Sequence, residues 1–584
     1  MLVDGTSSFS GGMDSSRESS RISPEQCARL INCRITDVGD KVAARYGWRH
    51  QELQFESKRA KRIYENAENF QGEGWTYNGF GRIQLVSIDG YLLSFTRAGG
   101  ESWSVRVLNT DSPNNPNQPK AWFTRVGGDQ VIMQDGQGYP FLITGGIATR
   151  IDSDDTDNIG VGKFGAFVQG RYFYVDPTGS IIIASDLRDP TRRTEGALTN
   201  LYGFATNDVN DEVVAIGRQK HLSLDINGGS LVWSTNDDLY SADVRGDRTG
   251  WTASLVVAES GAVSHDSFEN FGSNLYYRSA EKGITNYKQS AAQFISDADM
   301  YAESVEVAVW LSADTEVLLK YCYTESFKGR LLTTVCPTLH PSGRGVFHNG
   351  LVIHNPDPSY NSRSRLPRRY EGLWTGVRPW ALTELRGNSS PTFLFCHSYD
   401  ADGITRLYRL DEDIDHDVDQ FGNQREIERV IHLRSFAFGS DAVTKEVRSH
   451  EYGLYDFNRA TEVAVSHRPD DSGPWQEFWR VTHSVAEQCE EQETLGCYPK
   501  QDRPSVVMEK HRNNPDVPGV IPGRKAFHHS YRMEITGPGE LGRFLVDAEE
   551  SQHAVRVFKE PKQSPQSWVD PDDFSYSTAL VATP

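Results

Sequence analysis

A glycine-rich segment at residues 160–165 is the most suggestive chemical motif in the sequence. Its letters, GVGKFG, fit the G-x-G-x-x-G pattern, in which a loop presents backbone amide groups to the pyrophosphate of a dinucleotide. Such a site needs a strand before the loop and a helix after it. Here the acidic residues 152–158 precede the glycines, a strand-like run follows, and Phe164 stands where a P-loop needs Ser or Thr for magnesium. We therefore interpret the segment as a β-turn and expect no cofactor.

Acidic side chains alternate along residues 411–419, where six acids occur in nine residues. Asp413, Asp415, Asp417 and Asp419 resemble the start of a calcium loop, whose oxygen ligands must converge on a hard cation. The glycine that makes the sharp turn of such a loop is absent. A solvated acidic loop is the preferred interpretation, and a calcium site is the alternative.

Histidine and cysteine pairs are the other candidates for metal ligands. The nearest pairs are His528 with His529, His348 with His354, and Cys489 with Cys497. None has the spacing of a known metal site, and the 7 cysteines are scattered without a C-x-x-C motif. We expect no metal site and no disulfide framework, and we interpret the thiols as reduced and mostly structural.

Catalytic motifs are equally sparse. Residues 471–475 (DSGPW) are similar to the Asp-box of sialidase-like propellers but one residue too short, which favours a hairpin turn. Glycan hydrolysis needs two carboxyl groups at a set separation, and 80 acidic residues give no basis for choosing a pair. The serine hydrolase motif G-x-S-x-G is also missing. The sequence therefore predicts no catalytic, cofactor-binding or metal-binding residue, and no enzyme.

The composition indicates a large, turn-rich β protein. The chain has 584 residues, 11% aromatic residues, 51 Gly and 26 Pro, which favours two or more domains rich in sheet. A formal charge of −20 disfavours tight wrapping of nucleic acid, which needs clustered Lys and Arg. Residues 1–12 lack a basic flank and an apolar core, and no run of about 18 apolar residues occurs. We therefore expect neither secretion nor membrane insertion.

Short apolar and aromatic runs separated by turn residues fill residues 76–410. One example is the pair of runs 164–175 and 180–185, which flank the turn 176–179. Strands repeated every ~8–12 residues indicate a sandwich, barrel or propeller. An apolar strand, a Gly or Asn turn and an aromatic-rich strand recur, as blades of four-stranded sheet require. We predict an all-β chain with a β-propeller over residues 76–410 and leave the blade number open.

Three segments carry more local predictions. Residues 22–32 begin with a serine cap followed by Pro24, which predicts a short helix. Residues 52–70 fit a helix or a strand, and both possibilities stay open. The runs 305–311 and 316–323 are predicted as propeller strands.

The chain after the propeller divides into three parts. The acidic residues 411–425 are predicted as a linker. A second strand series occupies residues 426–560, interrupted by a polar excursion at 484–522. Residues 561–584 are predicted as a tail that needs a neighbour to become ordered.

Several phrases of the sequence, in order, resemble one family of virion proteins. They are residues 9–15 (FSGGMDS), 22–32, 45–47 (RYG), 170–175, 183–190, 211–216, 261–279, 434–439 and 531–535. Their order over most of residues 9–550 is similar to that of the tail nozzle (tail tubular protein B-like) proteins of short-tailed bacteriophages. Residues 484–522 and the tail after Pro561 depart from the family.

The resemblance implies a structural role and no enzymatic activity. It implies a ring of six subunits below a dodecameric adaptor, or portal-side connector, in a virion tail assembled in the host cytoplasm. Propellers would lie outside, and a platform domain built from residues 1–75 and 426–560 would surround the DNA channel. Tail fibres or spikes and a needle or plug are the other implied partners.

The charge is compatible with transient passage of double-stranded DNA. Six copies at −20 each would carry −120, and an acidic lumen would repel phosphates. The alternative function is a glycan-binding or glycan-hydrolysing propeller, either a tail adhesin or a sialidase-like enzyme.

Overall fold

A computed structural model of the chain describes most residues before Val555. The described residues are 2–36, 41–78, 81–99, 102–194, 203–205, 211–219, 229–246, 248–272, 274–281, 283–288, 301–302, 307–336, 348–356, 369–386, 392–399, 403–440, 442–483, 506–512 and 525–555. The predicted tail 561–584, most of the predicted excursion 484–522, and both Cys489 and Cys497 lie outside them. No helix among the described residues is long and apolar enough to cross a bilayer.

The elements of the N-terminal segment are short strands and one helix. They are β1 Leu2–Thr6, β2 Gly12–Met13, β3 Gln26–Ile31, β4 Cys33–Ile35, β5 Val42–Ala44, β6 Gly47–His50, β7 Glu52–Phe55 and α1 Lys58–Glu65, with a 3₁₀ turn at Ser19–Arg21.

The next strands come in groups of four and a final group of three. They are β8 Phe70–Asn78, β9 Gly81–Ile88, β10 Tyr91–Gly99 and β11 Ser102–Val107; β12 Trp122–Gly127, β13 Gln130–Gln134, β14 Phe141–Thr144 and β15 Ile147–Arg150; β16 Gly165–Val168, β17 Arg171–Val175, β18 Ile181–Ala184 and β19 Gly203–Ala205; β20 Ala215–Gln219, β21 Ser230–Ser234, β22 Leu239–Ala242 and β23 Ala253–Val257; β24 Glu269–Phe271, β25 Asn274–Ser279, β26 Gly283–Lys288 and β27 Tyr301–Ala302; β28 Thr324–Phe327, β29 Arg330–Val335, β30 Gly350–Asn355 and β31 Arg369–Trp374; β32 Pro379–Arg386, β33 Thr392–Tyr399 and β34 Thr405–Asp411. Helices α2 Ala308–Leu311 and α3 Glu316–Leu319 precede β28, and 3₁₀ turns lie at Arg248–Gly250 and His265–Ser267.

The C-terminal segment contains the longest strands. Its strands are β35 His416–Val418, β36 Gln424–Glu426, β37 Glu428–Leu433, β38 Val443–Tyr455, β39 Thr461–Pro469, β40 Gln476–His483, β41 Val506–Arg512, β42 Lys525–Ala526, β43 His529–Thr536 and β44 Glu540–Val555.

Seven blades can be traced in the described residues, and they form a closed β-propeller. Within each blade the strands pair in chain order, starting from β8, β12, β16, β20, β24, β28 and β32. Each first strand contacts the first strand of the next blade, except that β20 contacts the 3₁₀ turn just before β24. The ring closes because β32 contacts β8. The prediction of an all-β propeller is confirmed, and the blade number is an addition from the structure.

The N-terminal segment closes this ring. Strand β6 pairs antiparallel with β34, with Gly47 opposite Asp411 and His50 opposite Tyr408, and so completes the seventh blade. Strand β7 follows at once and pairs in parallel with β11 on the outer edge of the first blade. Because β6 and β7 are consecutive, one short stretch of chain joins the first and last blades.

Two further sheets, built from both ends of the chain, form the platform. The first continues the sixth blade: β31 pairs in parallel with β3, and β37, β43, β39 and β40 follow. The second runs β4, β5, β44, β38 and β41, with β1 added to β44 and β42 to β38. Their facing sides share one apolar core that includes Phe436, Tyr531 and Phe544. The platform is therefore continuous with the propeller through backbone hydrogen bonds.

The structure corrects several local predictions. Residues 22–32 contain strand β3 rather than a helix, because β31 and β37 both pair with it. The residues predicted to cap a helix form only a turn, in which the Gln26 N–H donates to the Ser23 carbonyl at 2.9 Å. Residues 305–311 and 316–323 contain α2 and α3 rather than strands. The open segment 52–70 contains both β7 and α1.

Two domain boundaries also change. Strands β6 and β7 and helix α1, predicted with the platform, lie on the propeller. The acidic segment predicted as a linker carries the hairpin of β35 and β36, and β35 pairs with β6 at the edge of the seventh blade.

Replacing Trp48 tests the closure of the ring. Trp48 on β6 is 1% exposed and packs in a core with Trp374, Leu394 and Leu410. We expect Trp48→Ala to lower the free energy of unfolding by about 3 to 5 kcal/mol, because it leaves a cavity where the last blade closes.

The measurement is urea unfolding followed by circular dichroism. The matched control is Phe421→Ala, which removes an aromatic ring that is 79% exposed and should change stability by no more than about 0.5 kcal/mol. Equal effects of the two substitutions would show that β6 does not close the propeller.

Candidate functional site

The junction between propeller and platform is the candidate functional site, and Arg45 lies at its centre. Its guanidinium group forms two parallel hydrogen bonds to the Asp417 carboxylate, Nη1 to Oδ1 at 2.8 Å and Nη2 to Oδ2 at 2.6 Å. The two side chains are 2% and 17% exposed. Asp417 Oδ1 also accepts the Trp48 backbone N–H at 2.8 Å. A bidentate charged pair in this setting fixes both distance and orientation, so it locks β6 against β35.

Asn32 extends the same network toward the platform. It adopts a left-handed backbone conformation with φ 55°, which Asn tolerates better than most residues. Its Oδ1 accepts hydrogen bonds from Arg45 Nε at 3.2 Å and from the Thr375 backbone N–H at 2.8 Å. Its Nδ2 donates to the Glu428 carbonyl at 3.1 Å. One side chain therefore connects the N-terminal segment, the sixth blade and the C-terminal segment.

A second buried pair joins the sixth blade to β4. Arg330 Nε lies 3.0 Å from Glu371 Oε2, and these side chains are 5% and 0% exposed. Arg330 Nη2 also donates to the Ile35 carbonyl at 3.4 Å, and Trp374 Nε1 donates to the Cys33 carbonyl at 2.6 Å. The pair therefore holds β29, β31 and β4 together.

A third arginine fixes the turn between β43 and β44. Arg429 is fully buried and donates to the carbonyl oxygens of Gly537 at 2.7 Å and Gly539 at 2.5 Å. Burial lowers the pKa of Arg429 to about 10, so the group stays cationic near neutral pH. Because carbonyl dipoles rather than a carboxylate solvate this charge, the turn must keep its shape.

The alternating aspartates make separate contacts with arginines and backbone amide groups. Asp417 is held by Arg45, Asp415 accepts from Arg459 Nη2 at 2.8 Å, and Asp419 accepts the backbone N–H of Phe421 at 2.8 Å. No group of three His, Cys, Asp or Glu side chains that could hold a metal ion occurs in the described residues. The acids of this segment instead pair with arginines and shape a hairpin.

The platform core contains a buried cluster of histidines. His467 Nε2 and His529 Nδ1 lie 3.0 Å apart, and His450 Nε2 lies 3.0 Å from the Tyr531 hydroxyl. All three histidines are at most 1% exposed. Burial lowers the pKa of His467 to about 3 and that of His529 to about 4, so both are neutral at pH 7. In the sequence, His528 and His529 form only a pair without the spacing of a metal site, and no pattern predicts this cluster.

The other candidate residues contribute to packing or to turns. Gly162, in the G-x-G-x-x-G segment, packs so closely on Tyr174 that a Cβ atom would lie 2.5 Å from the ring. A strand, β16, follows that segment, so it lacks the helix that a dinucleotide site requires. Residues 471–475 form the turn between the antiparallel strands β39 and β40, which confirms the hairpin prediction. His354 stacks on Tyr370 with ring centroids 4.6 Å apart.

The described cysteines are structural. Cys27, Cys33, Cys322, Cys336 and Cys396 are buried, and none of these five forms a disulfide. Burial raises the pKa of Cys33 and that of Cys322 to about 12, so these thiols stay protonated and unreactive at neutral pH.

Comparisons with known proteins add only distant likenesses of fold. No protein-family model matches the chain, and no curated protein matches it. Similar solved structures include YCF48 bound to D1 peptide, with 10% identity, TM-score 0.33, and coverage of 62% of this chain and 96% of that chain. The nidogen/laminin complex matches with 14% identity, TM-score 0.27, and coverage of 52% and 98%. The designed protein Ika8 matches with 11% identity, TM-score 0.33, and coverage of 62% and 99%. None carries an argument about function.

Removing Arg45 should destabilise the chain more than removing an exposed arginine. We expect Arg45→Met to cost about 3 to 5 kcal/mol of unfolding free energy, because it leaves the Asp417 charge buried without its partner. Arg459→Met, which removes two ion pairs, to Asp415 and Glu426, whose side chains are all 32% to 41% exposed, should cost at most about 1 kcal/mol.

Urea unfolding of both variants and of Asp417→Asn measures these differences. The double variant of Arg45 and Asp417 should lose much less than the sum of the single variants. Additive losses would mean that the pair does not lock the junction.

The histidine cluster should make the platform sensitive to acid. The folded state holds His467 and His529 neutral, whereas the unfolded chain protonates them below their ordinary pKa of 6.5. Unfolding therefore takes up protons, and stability is lost as the pH falls from about 6.5 toward 4. For His467 the loss at pH 4 is on the order of 3 kcal/mol.

Melting temperatures between pH 7.5 and 4 measure this dependence. His467→Gln keeps a hydrogen-bonding side chain that does not titrate, and it should flatten the profile. An unchanged profile would exclude His467 as a source of acid sensitivity.

Proposed function

We propose that the chain is a structural subunit of a bacteriophage tail, a nozzle protein that forms a ring below the tail adaptor. The ring continues the DNA channel, retains the packaged genome and conducts it during ejection. Two findings support this proposal: the ordered resemblance over residues 9–550, and a propeller carried on a platform made from both chain ends. The propeller on its platform is the stronger support, because it is the architecture that the resemblance implies.

The sharing of one sheet between the sixth blade and the platform suits a wall that bears load. Ile31 on β3 lies opposite Leu373 on β31, so a hinge between the two parts would have to break backbone hydrogen bonds. The pairs of Arg45 with Asp417 and of Arg330 with Glu371 lie beside that seam. Such a subunit resists bending under the pressure of packaged DNA. Copies of the chain, the adaptor ring, fibres or spikes and a needle are its proposed partners.

The charge supports passage rather than binding of DNA. Each chain carries a formal charge of −20. A negative wall gives phosphates no counterion-releasing contacts, so double-stranded DNA slides past it without being held. The virion tail is the proposed location.

A groove favours the alternative function, glycan binding or hydrolysis. It has a volume of about 670 Å³, and its lining includes Trp75 and the carboxyl groups of Glu269, Glu325 and Glu384. Burial raises the pKa of Glu325 well above its usual range, which would suit a general acid. The carboxyl groups would have to make the contacts with a sugar, because Arg82 and Arg125 lie 3.8 Å and 3.7 Å from the centre of the Trp75 ring and cover it.

Negative-stain images of the purified protein mixed with its tail adaptor test the proposal. We expect sixfold rings on the adaptor. Arg45→Met should reduce ring formation because the platform loses its lock to the propeller, whereas Lys61→Met, at a side chain that is 57% exposed, should not.

Two results would contradict the proposal. One is dispersed monomers under all conditions in which the adaptor itself assembles. The other is saturable binding or turnover of host surface sugars by the monomer, lost on Glu325→Gln, which would establish the alternative.

A further inference from the structure

A small cavity lies at one mouth of the propeller axis, where several first strands begin. Phe70 and Glu73 of β8 and Trp380 of β32 line one side. Lys120, Asp266, Tyr321, Tyr323 and His348, which precede β12, β24, β28 and β30, line the other. Its volume is about 30 Å³. That is room for a group the size of one or two water molecules, and too little for a sugar ring or a phosphate.

Glu73 is a buried acid that has no cationic partner among the described residues. Its side chain is 0% exposed. Oε2 accepts from Gln84 Nε2 at 2.8 Å, and the hydroxyl groups of Thr383 and Tyr323 also favour the ionised carboxyl group, whereas Oε1 has no hydrogen-bond partner within 3.5 Å among the described residues. The nearest histidine, His397, lies 3.9 Å away, and burial lowers its pKa to about 3, so it supplies no positive charge. A carboxyl group in this position gains from any hydrogen-bond donor that enters the cavity.

His348 supplies a second acceptor. It is 2% exposed, and no residue in the described part of the chain forms a hydrogen bond with its Nε2. Burial, together with the positive charges of Arg278 and Lys120, lowers the pKa of His348 to about 3. The imidazole is therefore neutral and can accept a hydrogen bond through Nε2.

Lys120 shows how a cation is held at this mouth. Its ammonium group contacts the Asp266 carboxylate and lies 5.4 Å from the centre of the Tyr321 ring. On the opposite wall, the Phe70 and Trp380 rings stack on each other with centroids 5.5 Å apart, and Phe70 also contacts His397 while Trp380 contacts Tyr399. Lys120 balances one of the two lining carboxyl groups, Asp266, and Glu73 is left unbalanced. A buried carboxylate without a cationic partner attracts a compact cation.

We propose that this cavity binds a primary ammonium group, either the head of a free alkylamine or the side chain of a lysine on a partner protein. The ammonium would donate to Glu73 Oε1 and His348 Nε2. A guanidinium group is excluded by size, and an anion by Glu73. This inference does not depend on the proposed tail function.

Calorimetric titration of the full chain at pH 8 tests the proposal, because burial raises the pKa of Glu73 only to about 7 and the group is then ionised. The probes are n-butylammonium and the peptide acetyl-Gly-Lys-Gly-amide. n-Butanol and tetramethylammonium serve as controls that lack charge or N–H donors. We expect binding of at least one of the two amines, with the controls at least ten-fold weaker.

Two substitutions with opposite expected effects keep the test decisive. Glu73→Gln should weaken binding at least ten-fold. Lys120→Met should tighten binding, because it frees Asp266 and removes the competing ammonium. Glu52→Gln, at an exposed acid on β7 of the same blade, is the matched control and should change nothing.

The two probes separate the possible sources. Binding of butylammonium alone indicates a free amine, binding of the peptide alone indicates a partner's lysine, and binding of both indicates any accessible primary amine. Absence of binding by both amines, or equal affinity in wild type and Glu73→Gln, would overturn the proposal.

Discussion

The pairing of short N-terminal strands with strands far along the chain is the constraint on which the architecture depends. Strand β6 brings Arg49 opposite Arg409, and β3 brings Ile31 opposite both Val430 and Leu373. Without β6 the seventh blade would have three strands and an unpaired edge, which exposes backbone groups and invites wrong pairing. Without β3 no strand would pair with both β31 of the sixth blade and β37. Loop closure over such separations is costly in entropy, so the packing around these strands must offset it.

Buried arginines hold these pairings in register. Arg45, Arg330 and Arg429 are each at most 4% exposed, and each contacts groups from segments distant in sequence. A buried ion pair adds little net stability compared with two apolar side chains of the same shape. Any arrangement of the chain that leaves one of the two charges buried without its partner is, however, strongly destabilised. We interpret these groups as specifying one relation between propeller and platform. A subunit of a closed wall needs one fixed orientation of the propeller relative to the platform. This requirement links the fold to the proposed function.

The sequence predicted the strands well where local signals decide them. The predicted runs 164–175 and 180–185 contain strands β16, β17 and β18, because turn residues flank apolar residues there. Prediction failed where distant pairing overrides a local signal, as in β3, which follows a helix cap and still forms a strand. The candidate site was invisible for the same reason: Arg45 and Asp417, or His467 and His529, are ordinary residues until the fold brings them together. The absence of a motif around Glu73 likewise reflects a cavity assembled from six separate segments.

Hydrogen exchange of the backbone amides tests the central claim most directly, namely that the N-terminal strands are integral parts of both the propeller and the platform. We expect the amides of β3 and β6 to be protected as strongly as those of β37 and β34, their partners, and all four strands to open together. Fast exchange in residues 26–31 and 47–50, with full protection of β34 and β37, would contradict it.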